Sequence, residues 1–171
     1  MWLGLSLFYV GAVLFLNGLW MLGKIADKEI WVINIFTGVV SLCIGLASIF
    51  GPAADAASVK SGALTLLFAF TYLWVAFNRF SGADGRGLGW FSLFVAITAV
   101  PVALDTLTSA SSGLDWWMGV NWAAWAVRWA LFFALLALKK SIDRPTGWLC
   151  IAQGVLTGWV PGYLILAGKL M

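Results

Sequence analysis

The residues with the most chemistry to offer lie in one stretch, Asp115 to Phe133, DWWMGVNWAAWAVRWALFF. It is apolar enough to cross a bilayer, yet it carries five tryptophans, Asn121 and Arg128. A charge at the middle of a span costs about 2.5–3.5 kcal/mol on insertion scales, so it normally faces a pore or a partner. Tryptophans that act only as anchors collect at span ends. Trp122, Trp125 and Trp129 are instead spaced by three and four residues through the span. On a helix that spacing puts them on one face with Asn121, Arg128 and Phe132. An aromatic face with a few polar groups suits the passage of a small polar solute. An arginine on it would donate hydrogen bonds to a carbonyl oxygen and repel cations and hydronium.

Further polar groups sit at similar depth. Asn17 lies in LFLNGLW, and Asn78 ends FAFTYLWVAFN, in which Phe70, Trp74 and Phe77 follow helical spacing. Gln153, Thr157 and Pro161 are spaced by four in AQGVLTGWVP. In lipid each such group needs a partner or water, so each is either a helix-to-helix hydrogen bond or a pore-lining group. Trp2, Trp31, Trp90, Trp116 and Trp148 lie near expected span ends, where an interfacial belt accounts for them. Asp105 and Asp115 flank one connection and reach Arg128 only if the helix ends fold inward.

What the spans lack narrows the function. The chain has no histidine, which removes the commonest metal ligand and the usual near-neutral proton switch. Cys43 and Cys150 both fall inside expected spans and read as small apolar packing residues. No aspartate or glutamate lies deep in a span, although proton- or cation-coupled transporters usually need one there. No nucleophile sits beside a base, and there is no phosphate loop. The residues therefore point away from an enzyme, a metal or cofactor site and, with a net charge of only +3 and no basic cluster, a nucleic-acid partner.

These groups must be held by membrane helices. Of 171 residues, 63% are hydrophobic and 10% charged, against about 25% charged in a soluble domain. Six segments approach the roughly 20 apolar residues a crossing needs: 2–23, 31–50, 62–78, 89–107, 117–138 and 147–168. The expected fold is an all-α membrane protein, a single six-helix domain over 1–171, with the N-terminal segment read as a retained first span. Lys24, Lys28, Arg79, Arg86, Lys139, Lys140 and Arg144 fall in the first, third and fifth connections, and only Lys60 and Lys169 on the other side. By the positive-inside rule both termini lie outside. Each odd span then runs inward and each even span outward, which makes three parallel two-helix hairpins related about the membrane normal. Gly38, Gly45 and Ala47 in the second segment permit close helix approach.

Several segments together resemble the AmiS/UreI family of urea and short-chain amide channels. They are LFYVG near the start, NGL at 17–19, FAFTYLWVAFN at 68–78, WFSLFVAITAVP at 90–101, the spaced tryptophans from Asp115, and GVLTGWVP at 154–161. The resemblance implies three two-helix hairpins around a protomer pore, and a homohexamer in the cytoplasmic (inner) membrane with lipid at its centre. It implies passage of small uncharged amides or urea, in service of a cytoplasmic urease or amidase. Carried over by motif, the pore constrictions fall on Phe70 and Trp74 of the third span and on Trp122, Trp125 and Trp129 of the fifth, with Trp117 nearer the outer mouth. Asn17, Asn78, Asn121, Arg128, Gln153 and Thr157 are the polar pore-lining candidates. The chain departs from the acid-gated urea channel at Gln153, where that branch has a carboxylate, at Arg128, where it has an aliphatic residue, and in having no histidine. These departures favour the amide branch and exclude gating by histidine.

The expected function is a passive channel for acetamide-like amides, with urea also permeant. Two other classes compete. A proton- or ion-coupled secondary transporter would show uptake that follows an ion gradient. A non-transporting subunit would use a loop such as KKSIDR at 139–144 to dock an amidase.

Overall fold

The structure, a computed structural model, describes residues 1–170, and its described residues form helices joined by short turns. Five helices are continuous: α1 Trp2–Met21, α2 Asp27–Phe50, α3 Ala56–Ser81, α4 Arg86–Thr108 and α5 Gly113–Leu136. The sixth crossing, Asp143–Leu166, is composite. It joins α6 (Asp143–Gln153), a π-helical segment (Gly154–Trp159) and α7 (Val160–Leu166). All six crossings are long and apolar enough to span a membrane.

The turns explain where the helices stop. Asp55 accepts a hydrogen bond from the Ser58 backbone while Ser58 returns one to the Asp55 backbone, so α3 starts on a closed capping box. Ser112 and Asp115 do the same for α5. Gly82 ends α3 at φ +72°, a left-handed conformation that costs glycine little. Asp27 and Glu29 occupy the first turn of α2, where the helix dipole favours negative charge. These caps carry α2 and α3 several residues past the apolar runs at 31–50 and 62–78.

The six crossings follow one another around a closed ring, with α1 packed against the sixth crossing. Three pairs pack most closely: α2 with α3, α4 with α5, and α1 with the sixth crossing. Each has a glycine seam. A Cβ added at Gly62 would stand 2.7 Å from the Gly45 carbonyl oxygen, one at Gly89 2.5 Å from the Ala137 nitrogen, and one at Gly11 2.2 Å from the Trp159 nitrogen. Lipid supplies no hydrophobic drive between helices, so backbone approach through small residues is what holds them. The tight pairs thus alternate around the ring with the looser contacts α1–α2, α3–α4 and α5–α6.

One interior cluster fills the ring: Leu7, Val10, Val13 and Leu14 of α1, Phe68 and Tyr72 of α3, Val95 and Ala99 of α4, and Trp122, Trp125 and Trp129 of α5. Large apolar side chains such as Phe36, Phe77, Phe94, Ile97 and Leu104 cover the outside. An exterior this apolar belongs to a protein whose solvent is lipid. Cys43 is exposed and Cys150 buried, both unpaired.

Candidate functional site

Three cavities lie one after another inside the ring. The first, of about 300 Å³, opens near Lys60 and is lined by Trp2, Ser6, Lys60, Phe68, Trp122 and Trp125 among others. The last, of about 470 Å³, opens at the opposite end and is lined by Trp20, Asp27, Asn78, Arg79, Lys139 and Asp143 among others. Between them is a compartment of about 20 Å³, bordered by Asn17, Thr71, Tyr72, Ser92, Arg128 and Trp129. That volume holds about one water molecule. Val75, Leu88 and Phe132 border both the middle and the last cavity, so those two compartments abut.

An aromatic throat separates the first cavity from the middle one. The Phe68 ring centre lies 5.8, 5.0 and 4.9 Å from those of Trp122, Trp125 and Trp129, all edge to face. Trp122 and Trp125 meet each other at 5.1 Å in the same manner. This arrangement sets positive ring edges against negative ring faces. Helical spacing puts the three tryptophans in register along α5, and Phe68 enters from α3 across from them.

Phe70 and Trp74 do not join this throat, and the expectation for them is corrected. They are 44% and 37% exposed and point out of the ring, Trp74 resting on Phe91 at 5.7 Å. The α3 aromatic side chains that face inward are Phe68 and Tyr72, one helical turn apart. Because α3 carries aromatic residues on two faces, spacing alone could not tell which stripe was interior. The tyrosine hydroxyl in an apolar span was the available signal, since a buried Tyr OH usually has a polar purpose.

The polar candidates divide into two groups. Asn121, Gln153 and Thr157 belong to a hydrogen-bonded seam between α5 and the sixth crossing, together with Trp117. Pro161 explains the seam. It has no N–H, so the Thr157 carbonyl lacks its α-helical partner and the Leu156 carbonyl lacks its π-helical one. Donors from α5 replace them: Asn121 Nδ2 reaches the Thr157 carbonyl at 3.2 Å, and Trp117 Nε1 the Leu156 carbonyl at 3.1 Å. Trp125 Nε1 donates to Thr157 Oγ1 at 2.8 Å, Thr157 donates to the Gln153 carbonyl, and Gln153 Nε2 donates to the Ala124 carbonyl at 2.8 Å. Every freed backbone group named here is met inside the protein, as lipid demands.

Asn17, Asn78 and Arg128 face the cavities instead. Asn17 exchanges paired amide hydrogen bonds with Asn34 at 3.1 and 2.7 Å, which fixes α1 to α2 beside the middle compartment. Asn78 lines the last cavity. Arg128 is only 2% exposed. It donates from Nη1 to Gln153 Oε1 at 3.2 Å and lies over the Trp129 ring at 5.0 Å. Neither Asp105 nor Asp115 pairs with it: Asp105 binds Lys60 at 3.0 Å, and Asp115 is held by Ser111 and Ser112. Asn34, Thr71 and Ser92, which also surround this compartment or brace it, stand out in the sequence only as isolated polar residues in apolar runs.

The mouth opposite Lys60 is rimmed by charge. Arg79 lies over the Trp20 ring at 5.2 Å and pairs with Asp27 at 3.6 Å, while Trp20 donates to Asp27. Lys139 Nζ donates to the Asp84 carbonyl at 2.8 Å, joining two connections. The Asp84 carboxyl is held below its usual range by hydrogen bonds from the Arg86 backbone and side chain. Among the described residues no group of His, Cys, Asp or Glu is gathered as a metal site.

Known proteins resemble this chain in sequence and in fold. The chain is 42% identical over 97% of its length to a protein of Mycolicibacterium smegmatis described as a transporter of amidate substrates, covering 77% of that protein. It is 36% identical over 95% of its length to the acid-activated urea channel of Helicobacter pylori, covering 96% of it. The crystal structure of that organism's urea channel superposes with a TM-score of 0.86 at 37% identity, covering 99% of each chain, and its closed state by electron cryomicroscopy gives 0.85, covering 99% of this chain and 100% of that one. The AmiS/UreI family transporter model matches residues 2–169. A ring of six crossings around an aromatic throat, with that family's pattern running end to end, makes this chain a member of the AmiS/UreI family, a transporter rather than an enzyme.

Proposed function

We propose that the chain is a passive channel for small uncharged amides such as acetamide, with urea also permeant. The observation that carries this reading is the cavity series within one chain: two wide mouths joined through an aromatic throat and a compartment of about 20 Å³. A planar amide can slide between indole and phenyl rings with its apolar faces covered. Its polar edges exchange water for groups in the middle compartment, and the exchange is incomplete, so the solute leaves again. Hydrated ions are refused because rings cannot replace a hydration shell, and the buried Arg128 charge adds a barrier to cations. No carboxylate lies in the middle compartment, which supports passive flow over ion coupling.

The family resemblance implies a homohexamer with one pore per chain in the cytoplasmic membrane, and the uneven placing of Lys and Arg sets both termini outside and the mouth of Arg79 and Lys139 toward the cytoplasm. A cytoplasmic amidase or urease would then consume what enters. Gating by acid has no histidine to use here. Asp55 and Asp84, outside the spans, have carboxyls lowered by hydrogen bonds from Ser58 and from Arg86, so both stay ionised at pH 5.

Stopped-flow swelling of proteoliposomes in acetamide, urea, formamide and propionamide tests the reading. Rapid acetamide uptake, similar at pH 5 and pH 7.5 and indifferent to a sodium or proton gradient, is the expected result. Steep acid activation would overturn the ungated reading, and uptake that follows an ion gradient would establish a coupled transporter. Absence of amide flux through correctly inserted protein would favour the docking-subunit class.

A further inference from the structure

Arg128 is a buried cation without a counter-ion. Among the described residues the ion pairs are Lys60–Asp105, Arg79–Asp27 and Arg86–Asp84, and none includes it. A guanidinium has five N–H donors, and one of Arg128's meets Gln153. Tyr72, 2% exposed, borders the same compartment, and its hydroxyl has no hydrogen-bond partner. Thr71 and Ser92 spend their hydroxyl protons on the Leu67 and Leu88 carbonyls of their own helices. The compartment therefore presents unused donors, from Arg128 and Tyr72, and an unbalanced positive charge.

The approach from one side suits an anion. The cavity abutting the middle compartment is lined by Arg79, Lys139 and Lys140 against Asp27 and Asp143. Three positive groups against two negative ones leave a positive rim that concentrates small anions. On the other side Phe68 and the three tryptophans offer an anion nothing to replace its water. An anion can thus reach Arg128 from the basic mouth and go no further.

We propose that a small monoanion, of the size and chemistry of formate, binds where the middle compartment abuts the last cavity, with one carboxylate oxygen in the compartment on Arg128 and Tyr72 and the rest in the larger cavity. The bound anion occupies the place an amide must cross and so closes the channel from its basic side. A short carboxylate is the product of hydrolysing a short amide, so accumulated product would slow entry of its own precursor. This inhibitory role rests on the channel reading above; the binding site itself does not.

Saturation-transfer NMR of formate with the full-length protein in detergent reads binding without any flux. Formate signal transfer, displaced by acetamide, is the expected result, lost in Arg128→Gln, kept in Arg128→Lys and weakened several-fold in Tyr72→Phe. No transfer to the wild type, or equal transfer to Arg128→Gln, would overturn the site. In proteoliposomes, formate at the basic mouth should lower acetamide flux several-fold, whereas formate confined to the Lys60 side should not. Formate that binds yet leaves acetamide flux unchanged overturns the inhibitory role and keeps the site. Formate that binds in a protein passing no amide keeps the site and overturns the channel reading.

Discussion

Helix α5 serves two regions built on different physics. Toward α3 it offers Trp122, Trp125 and Trp129 to Phe68, a throat of rings whose contacts have no fixed partner count. Toward the sixth crossing it offers Trp117, Asn121, Trp125 and Gln153's acceptor at Ala124, a seam in which each donor has a named acceptor. Ring contacts can shift by fractions of an ångström at small cost, but a hydrogen bond in lipid has no substitute. The seam accordingly joins the glycine contacts in holding the bundle together, and on the channel reading proposed above the throat decides what passes. Trp125 belongs to both, with its ring in the throat and its N–H on Thr157.

Substitutions can break or sharpen that contrast. The largest effect is expected at the glycine contact that backs the broken helix. Gly11→Leu would drive a side chain into the Trp159 backbone, where even a Cβ stands 2.2 Å from the nitrogen. Loss of folded protein on size exclusion is the expected outcome, and a well-folded variant would show that the seam tolerates slippage. Next, Asn121→Leu leaves the Thr157 carbonyl without its donor. A destabilisation of about 1–2 kcal/mol is expected, read from the apparent melting temperature in detergent. If Asn121→Leu left the melting temperature unchanged, the assignment of stability to the seam would fall.

Phe68→Ala should instead change permeation. Removing the ring that faces all three tryptophans widens the throat, so propionamide flux should rise several-fold relative to acetamide. Selectivity left unchanged would place the limiting constriction elsewhere. Trp125→Phe keeps a ring in the throat and loses only the N–H to Thr157. A cost of about 0.5–1.5 kcal/mol with amide selectivity preserved is expected from paired melting and flux measurements.

The smallest effect concerns pH. The Asp55 carboxyl is lowered by hydrogen bonds from the Ser58 backbone and hydroxyl. A carboxyl lowered in the folded state contributes stability above its unfolded pKa and loses it as pH falls through the folded value. Capping of α3 by Asp55 is therefore constant from pH 7.5 to pH 5 and weakens only below about pH 4. Melting curves at pH 7, 5 and 3 read this directly, and a drop already at pH 5 would contradict it.

Much of the molecule is legible from residue pattern because lipid imposes a simple rule. A crossing must be about 20 residues long and must satisfy its own backbone, so length and apolarity reveal helices without knowledge of their neighbours. Glycines and Pro161 likewise announce close approach and a break. The inward face is harder to see. Where solvent is apolar, an interior aromatic and a lipid-facing one look alike, and Phe70 and Trp74 sit two positions from the interior pair Phe68 and Tyr72.

The amino-acid sequence by itself determined the class of protein, the number of crossings, the family, and the presence of Arg128 and three spaced tryptophans in one span. Those are properties of single segments, governed by transfer from water to lipid. Only the tertiary structure decided that Phe68 closes the throat, that Asn121 and Trp117 repair the break at Pro161, and that Arg128 stands beside Tyr72 without a counter-ion. Those depend on the rotation of each helix about its axis, which packing against neighbours sets and hydropathy does not.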